Sequence, residues 1–213
     1  MKNDKTKPER FVVGLTGGLG AGKSAALAEF ERLGAATVCL DRIAREQARP
    51  GRAGWTAIVR AFGRGVLDAD GRIDRRALGA RVFRRPAERR RLERATDPPI
   101  LRKMKSLVSR LKGVVVVDAP LLFEAGLEKH FDATVLVDCP EAERVRRVVR
   151  RDGLSAAEAR RRMAAQWPAA RKRAKADLTL ENDGSRNDLK SRVRAAHAGL
   201  SLLYGGTPNG NAD

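Results

Sequence analysis

Gly17-Gly18-Leu19-Gly20-Ala21-Gly22-Lys23-Ser24 decides how this chain is read, because it fits Gly-x-x-x-x-Gly-Lys-(Ser/Thr) at every fixed position. The apolar run 11–16 leads into it and an amphipathic, helix-period segment, 23–33, leads out, so the motif falls at a strand-to-helix turn. Phosphate oxygens are bound by several converging backbone N–H groups, and the main chain curls tightly enough to supply them only where Cβ bulk is missing. The positive end of the following helix and the Lys23 ammonium add charge, while the Ser24 hydroxyl is a hard oxygen able to ligate Mg²⁺. A cradle for nucleotide phosphates is expected over residues 17–24.

Working outward, four short Val- and Ile-rich runs read as buried strands: 11–16, 37–40, 114–118 and 133–138, with a weaker fifth at 178–180. Helix-period segments separate them at 23–33, 42–111, 141–151, 155–176 and 188–204. Alternation of this kind predicts an α/β fold with a parallel sheet covered on both faces. About seventy residues lie between the second and third strands, far more than one crossover helix needs, so a helical insertion is expected there. Within it Asp68-Ala-Asp-Gly71 reads as a turn and Asp74 as a helix N-cap. Ser155-Ala-Ala-Glu158 has the capping-box pattern at the start of the second helix of an arginine-rich hairpin.

Two carboxylates end predicted strands. Asp41 would project over the carboxyl edge of the sheet, where it could deprotonate an attacking hydroxyl, hold Mg²⁺ through water, or simply cap the next helix. Asp118, after four valines, has the placement of a carboxylate that assists Mg²⁺, although a strand-ending Asp also forms turns. The hairpin arginines, Arg144 to Arg171, cannot all face one ligand because helical periodicity spreads them round the axis; two or three suffice to neutralise transferring charge.

The 213 residues carry 44 Lys and Arg against 26 Asp and Glu, a net charge of +18 that would steer polyanions of any kind. With 42% hydrophobic and 33% charged residues, the composition excludes wholesale disorder, and the length excludes a disulfide-stapled miniprotein. Cys39 and Cys139 are isolated and read as core thiols in a reducing compartment. No run approaches the ~20 apolar residues of a membrane span, and residues 1–10 have no signal-peptide core, so no membrane association and a cytoplasmic location are expected. The 4% aromatic content offers no base-stacking platform, which argues against an ATP-dependent nucleic-acid binding protein.

Several stretches in consistent order resemble the dephospho-CoA kinase family: Gly14-Leu-Thr-Gly-Gly-Leu-Gly-Ala-Gly-Lys-Ser24, Leu40-Asp-Arg-Ile-Ala-Arg45, Gly71-Arg-Ile-Asp-Arg75 with Leu78 and Val82-Phe83, Asp118-Ala-Pro-Leu-Leu-Phe-Glu124, and Gln166 through Ala176-Asp177 to Asn182. The fourth of these, with the tail, is more specific than the phosphate loop, which other small-metabolite and nucleoside monophosphate kinases share. The resemblance implies a P-loop NTPase-type, five-stranded parallel sheet sandwiched by helices. It also implies a core over 11–41, 113–142 and 176–204, a helical substrate domain over 42–112 and an arginine-rich lid over 143–175. Residues 1–10 and 205–213 are expected to be disordered ends.

The implied reaction is phosphoryl transfer from ATP to the ribose 3′-hydroxyl of dephospho-CoA, with Mg²⁺, by a monomer or small homo-oligomer. Asp41 would be the base, and Lys23, Arg147 and Arg151 would meet the transferring charge. Gly17, Gly18, Leu19, Gly20, Ala21, Gly22, Lys23, Ser24, Ala25 and Asn182 would hold ATP. Ser24 would ligate Mg²⁺, with Asp118 acting through water. Asp41, Arg45, Asp118, Pro120, Leu121, Leu122 and Glu124 would contact dephospho-CoA. The chain departs from the family pattern at Cys39 (commonly Asp), Ala25 (commonly Thr) and Asp97 before Pro98 (commonly His).

Overall fold

The structure, a computed structural model, describes residues 9–83 and 85–205. Residues 1–8 and 206–213, expected to be disordered ends, lie outside the described residues. Arg10, grouped with that N-terminal extension, instead opens the first strand, because its N–H and C=O neighbours are already in register with Gly113.

Five strands, β1 (Arg10–Gly17), β2 (Ala36–Cys39), β3 (Gly113–Asp118), β4 (Ala133–Asp138) and β5 (Leu178–Glu181), form a parallel sheet in the order β2-β3-β1-β4-β5. The valine run of β3 is fully or almost fully buried, from Val114 to Val117, as a strand covered on both faces requires. Chain order turns one way from β1 to β2 and β3, then crosses to the other side for β4 and β5. The carboxyl end of β1 therefore sits at the switch point, where open α/β sheets bind their ligands.

The chain divides into two units. The first, Met1–Val38 with Leu111–Asp213, carries the sheet and the helices α1 (Lys23–Arg32), α6 (Glu141–Asp152), α7 (Ala156–Ala164), α8 (Ala169–Arg173) and α9 (Arg186–Leu203). Phe30 of α1 and Leu189, Val193 and Leu200 of α9 share one core cluster with Val13, Leu15, Val116 and Val135 of the strands. Helix α7 opens on the expected capping box, Ser155 accepting from the Glu158 N–H while Glu158 accepts from that of Ser155.

The second unit, Cys39–Arg110, is helical: α2 (Leu40–Gln47), α3 (Ala53–Phe62), α4 (Arg75–Phe83) and α5 (Pro86–Val108) surround a small core of Ile58, Phe62, Val66 and Leu78. Asp68 accepts the N–H groups of Asp70 and Arg72 to make the expected turn, and Asp74 accepts those of Arg76 and Ala77 to cap α4. Leu40, read from the sequence as the end of a strand, is the first residue of α2. Leu40, Ile43 and Gln47 recur at helical spacing and are all buried, and that face outweighs the short apolar run before it. Asp41 consequently stands in the first turn of a helix, favoured by the positive helix end, rather than at a strand terminus. Helix α5 continues through Pro98-Pro99, of which Pro99 is buried. Among the described residues, no helix is long and apolar enough to cross a membrane.

Glu29, 4% exposed, ties α1 to α9: it accepts from Arg32 at 2.7 and 3.0 Å and from Arg194 at 3.2 Å. Hydrogen bonding to Arg32 holds its pKa below the ordinary 4.5, against burial, which pushes the other way. A depressed carboxylate stabilises the fold fully above its unfolded pKa and loses that contribution as pH falls through the folded value. Glu29→Gln is therefore expected to cost about 1.5–3 kcal/mol at pH 7 in urea unfolding. The gap to the parent chain should narrow as pH drops below the ordinary 4.5; a gap constant from neutral to acid pH contradicts the assignment.

Candidate active site

The phosphate loop begins where β1 ends at Gly17, and Gly22 is the N-cap of α1. Gly20 (φ 79°) and Gly22 (φ 96°) occupy the left-handed region, which side chains with a Cβ rarely enter. A Cβ on Gly22 would also collide with the Asn182 amide, and one on Gly20 would lie 2.7 Å from the Arg144 carbonyl. Inside the turn, Ala21 donates to the Gly18 carbonyl at 3.0 Å. The N–H groups of Gly20, Gly22, Lys23 and Ser24 find no acceptor among the described residues. Four main-chain donors at a helix N-terminus are the binding surface a polyphosphate requires.

Lys23 makes an ion pair with Asp118, each side chain 15% exposed. The register explains the meeting: β1 and β3 are neighbours, and Asp118 lies opposite Leu15, just before the loop leaves the sheet.

Three side chains distant in sequence hold the loop from outside. Asn182, at the end of β5 and 6% exposed, donates its Nδ2 to the Ala21 carbonyl at 2.7 Å. Arg144 of α6, 9% exposed, donates Nε to the Leu19 carbonyl at 3.0 Å, and the Leu19 N–H donates to Gln166 Oε1 at 2.9 Å. Neither Arg144 nor Gln166 stood among the site residues read from the sequence. Arg144 is hidden among twelve basic residues between positions 143 and 175, and its distinguishing signal is that it shares a helical face with the apolar Val145 and Val148.

Beside the loop, Gly22, Ala25, Arg147, Asn182, Arg186 and Leu189 line a cleft of about 300 Å³. Arg147 is held there by Glu143 at 2.8 Å and by the Asn182 carbonyl at 3.2 Å. Arg146 first, then Arg147, keep the Glu143 carboxyl below its usual range. Arg151, given equal weight with Arg147 in the sequence, does not reach this cleft. Its side chain is 61% exposed and paired with Asp152 at the end of the helix.

The segment after β3 also divides. Leu121 is exposed and Pro120 partly so, but Leu122 is fully buried and cannot touch a ligand in this arrangement. Glu124 is buried too, accepting from Lys172 at 2.8 Å and from the Trp167 N–H at 2.9 Å. Their contacts hold the loop after Asp118 in place. Asp177 is likewise structural, receiving both the N–H and the hydroxyl of Thr134.

In the helical unit Asp41, Arg45, Arg49, Arg72 and Arg75 rim a cleft of about 850 Å³ whose lining includes Ile58, Ile73, Leu78, Leu92 and Ile100. This unit holds 20 Lys and Arg against 8 Asp and Glu, net +12 of the chain's +18, which suits an anionic ligand with an uncharged arm. Asp97 is partly buried in α5, and burial, with Glu93 adding repulsion, raises its pKa.

A parallel sheet whose central strand ends in this loop, with its lysine, its free amides and a carboxylate from the next strand, defines a P-loop phosphotransferase. The dephospho-CoA kinase family model matches residues 11–188. A dephospho-CoA kinase of Anaeromyxobacter dehalogenans is 44% identical over 186 residues, covering 85% of this chain and 88% of that one. Among solved structures, TT1252 from Thermus thermophilus is 38% identical with a TM-score of 0.78, over 90% of this chain and 98% of the other. The dephospho-CoA kinase from Campylobacter jejuni is 26% identical with a TM-score of 0.65, over 91% and 98%. The chain belongs to the dephospho-CoA kinase family and is an ATP-dependent phosphotransferase of coenzyme A biosynthesis.

Removing one partner of a buried ion pair strands the other charge, at a cost of about 3–5 kcal/mol. Lys172→Met is expected to lower unfolding free energy by that much, and Lys172→Met with Glu124→Leu to recover most of it in guanidinium melts. A single variant within 1 kcal/mol of the parent chain would show that the pair is not buried as described.

Proposed function

We propose that this chain transfers the γ-phosphoryl of ATP to the ribose 3′-hydroxyl of dephospho-CoA, releasing coenzyme A and ADP. The observation that carries the reading is the loop from Gly17 to Ser24 with its unpartnered main-chain donors. Those donors and the Lys23 ammonium hold the β- and γ-phosphates, Lys23 exchanging its Asp118 partner for phosphate oxygens. Arg147 adds charge from α6, and the cleft it shares with Asn182 receives the nucleotide base.

The donor set suits Mg²⁺ carried in by the nucleotide rather than held by a protein cage. Among the described residues no group of three or more His, Cys, Asp or Glu could form a metal cage by itself. The Ser24 hydroxyl and the Asp118 carboxylate are hard oxygens at the mouth of the loop, a fit for an ion that arrives on the nucleotide with its waters. When bound, Mg²⁺ supplies neutralising charge to the phosphates.

In the helical unit the arginine-rimmed cleft takes the acceptor. Its cationic rim suits the acceptor's diphosphate and its apolar lining the uncharged arm. Asp41, an exposed carboxylate on that rim, accepts the proton leaving the 3′-hydroxyl as the new P–O bond forms. Arg45, one helical turn later, lines the same cleft, and Pro120 with Leu121 are further acceptor contacts in this reading.

The test is ADP release from ATP with dephospho-CoA, AMP, CMP or shikimate as acceptor. Dephospho-CoA alone should stimulate turnover; stimulation by another acceptor instead overturns the assignment. Lys23→Ala should lower kcat by about 10²–10³ and weaken ATP binding. Asp41→Asn should lower kcat by about 10²–10⁴ with ATP affinity unchanged, and near-parental kcat in that variant removes Asp41 as the base.

A further inference from the structure

The Gly18–Leu19 peptide carries two hydrogen bonds on opposite edges. The Gly18 carbonyl accepts from Ala21, closing the turn at 3.0 Å, and the Leu19 N–H donates to Gln166 Oε1 at 2.9 Å. Glycine at position 18 imposes little resistance to rotation of this peptide. A flip would swing the Gly18 carbonyl away from Ala21 and undo the turn that leaves the next N–H groups facing outward. Something must pin the peptide from the far side.

Leu19 is pinned there in three ways. Besides Gln166, Arg144 Nε holds its carbonyl at 3.0 Å, and its side chain packs into the apolar cluster of Val145, Val148, Ala159 and Met163 between α6 and α7. Gln166 itself is anchored. The next residue, Trp167, donates its N–H to Glu124, and Lys172 pairs with the same carboxylate while reaching the Pro120 carbonyl at 3.4 Å. One short stretch, 166–172, thus grips both the phosphate loop and the loop that follows Asp118.

We propose that Gln166 is a positioning residue for phosphoryl transfer: by accepting from Leu19 it fixes the Gly18–Leu19 peptide in the orientation that keeps the N–H groups of Gly20, Gly22, Lys23 and Ser24 free for phosphate. The arginine-rich hairpin then works as the support of the phosphate loop as well as a source of charge. This rests on the reading of that loop as the nucleotide site, and on nothing about the acceptor.

The experiment compares the parent chain with Gln166→Met, which keeps the side-chain length and removes the acceptor, and Gln166→Glu, which keeps the acceptor. In the second variant the added charge lies near Arg144, which also bonds to Leu19 and lines one cleft with residue 166. Calorimetric titration with ADP and Mg²⁺, the coupled assay, and ligand-free melting are read together. Gln166→Met should lose about tenfold in kcat and in ADP affinity, with KM for dephospho-CoA within twofold and the ligand-free melting temperature within about 2 °C of the parent. Gln166→Glu should recover most of both losses. Parental kcat and ADP affinity in Gln166→Met overturn the proposal. So does a deficit that Gln166→Glu leaves unrelieved, or one accompanied by an equal fall in melting temperature for both variants. If the parent chain binds ADP but does not turn over dephospho-CoA, the acceptor reading fails and the ADP titrations still decide the role of Gln166.

Discussion

A turn that offers four backbone N–H groups to a ligand must hold those groups without partners of its own, and a bare chain does not do so willingly. Unsatisfied donors are tolerated here because the turn lies at the mouth of a helix in contact with water, and because the rest of the fold removes its alternatives. Left-handed backbone at Gly20 and Gly22 sets the curl, and close approach by Arg144 and Asn182 leaves no room for a Cβ there. Lys23 is kept near the loop by its ion pair with Asp118. A loop held in one shape by its surroundings spends little binding energy on ordering itself, which leaves that energy for a chemical step.

The sheet order delivers these groups to one place. Neighbouring β1 and β3 bring Lys23 and Asp118 together, while β5, two strands from β1, ends where Asn182 reaches the Ala21 carbonyl. Elements late in the chain return to its beginning: Arg144, Gln166 and Asn182 lie more than a hundred residues from the loop they support. This gives a physical meaning to the tail that carried the family resemblance. Gln166 holds the loop, Asp177 fastens the start of β4 through Thr134, and Asn182 closes the turn from the opposite side.

What the sequence made legible was local. The phosphate loop, the strands around it, the caps at Ser155 and Asp74 and the turn at Asp68 all announce themselves within a few residues of chain. The misreadings have long-range causes. Leu40 reads as strand because its place on the buried face of α2, with Ile43 and Gln47, is invisible in a four-residue run. Arg147 and Arg151, one turn apart, look equivalent until Glu143 and Asn182 claim the first and Asp152 the second. Leu122 and Glu124 carry the resemblance as strongly as Leu121, but both side chains are buried, and the partners of Glu124, Lys172 and Trp167, lie more than forty residues downstream.

Amide hydrogen exchange resolved to single residues tests the central claim most directly. Without nucleotide, the Leu19 amide should exchange slowly, held by Gln166, while those of Gly20, Gly22, Lys23 and Ser24 exchange fast. Saturating ADP with Mg²⁺ should slow those four and leave Leu19 as it was. Unchanged exchange at all four under saturating nucleotide would contradict the claim that this turn presents its main-chain donors to phosphate.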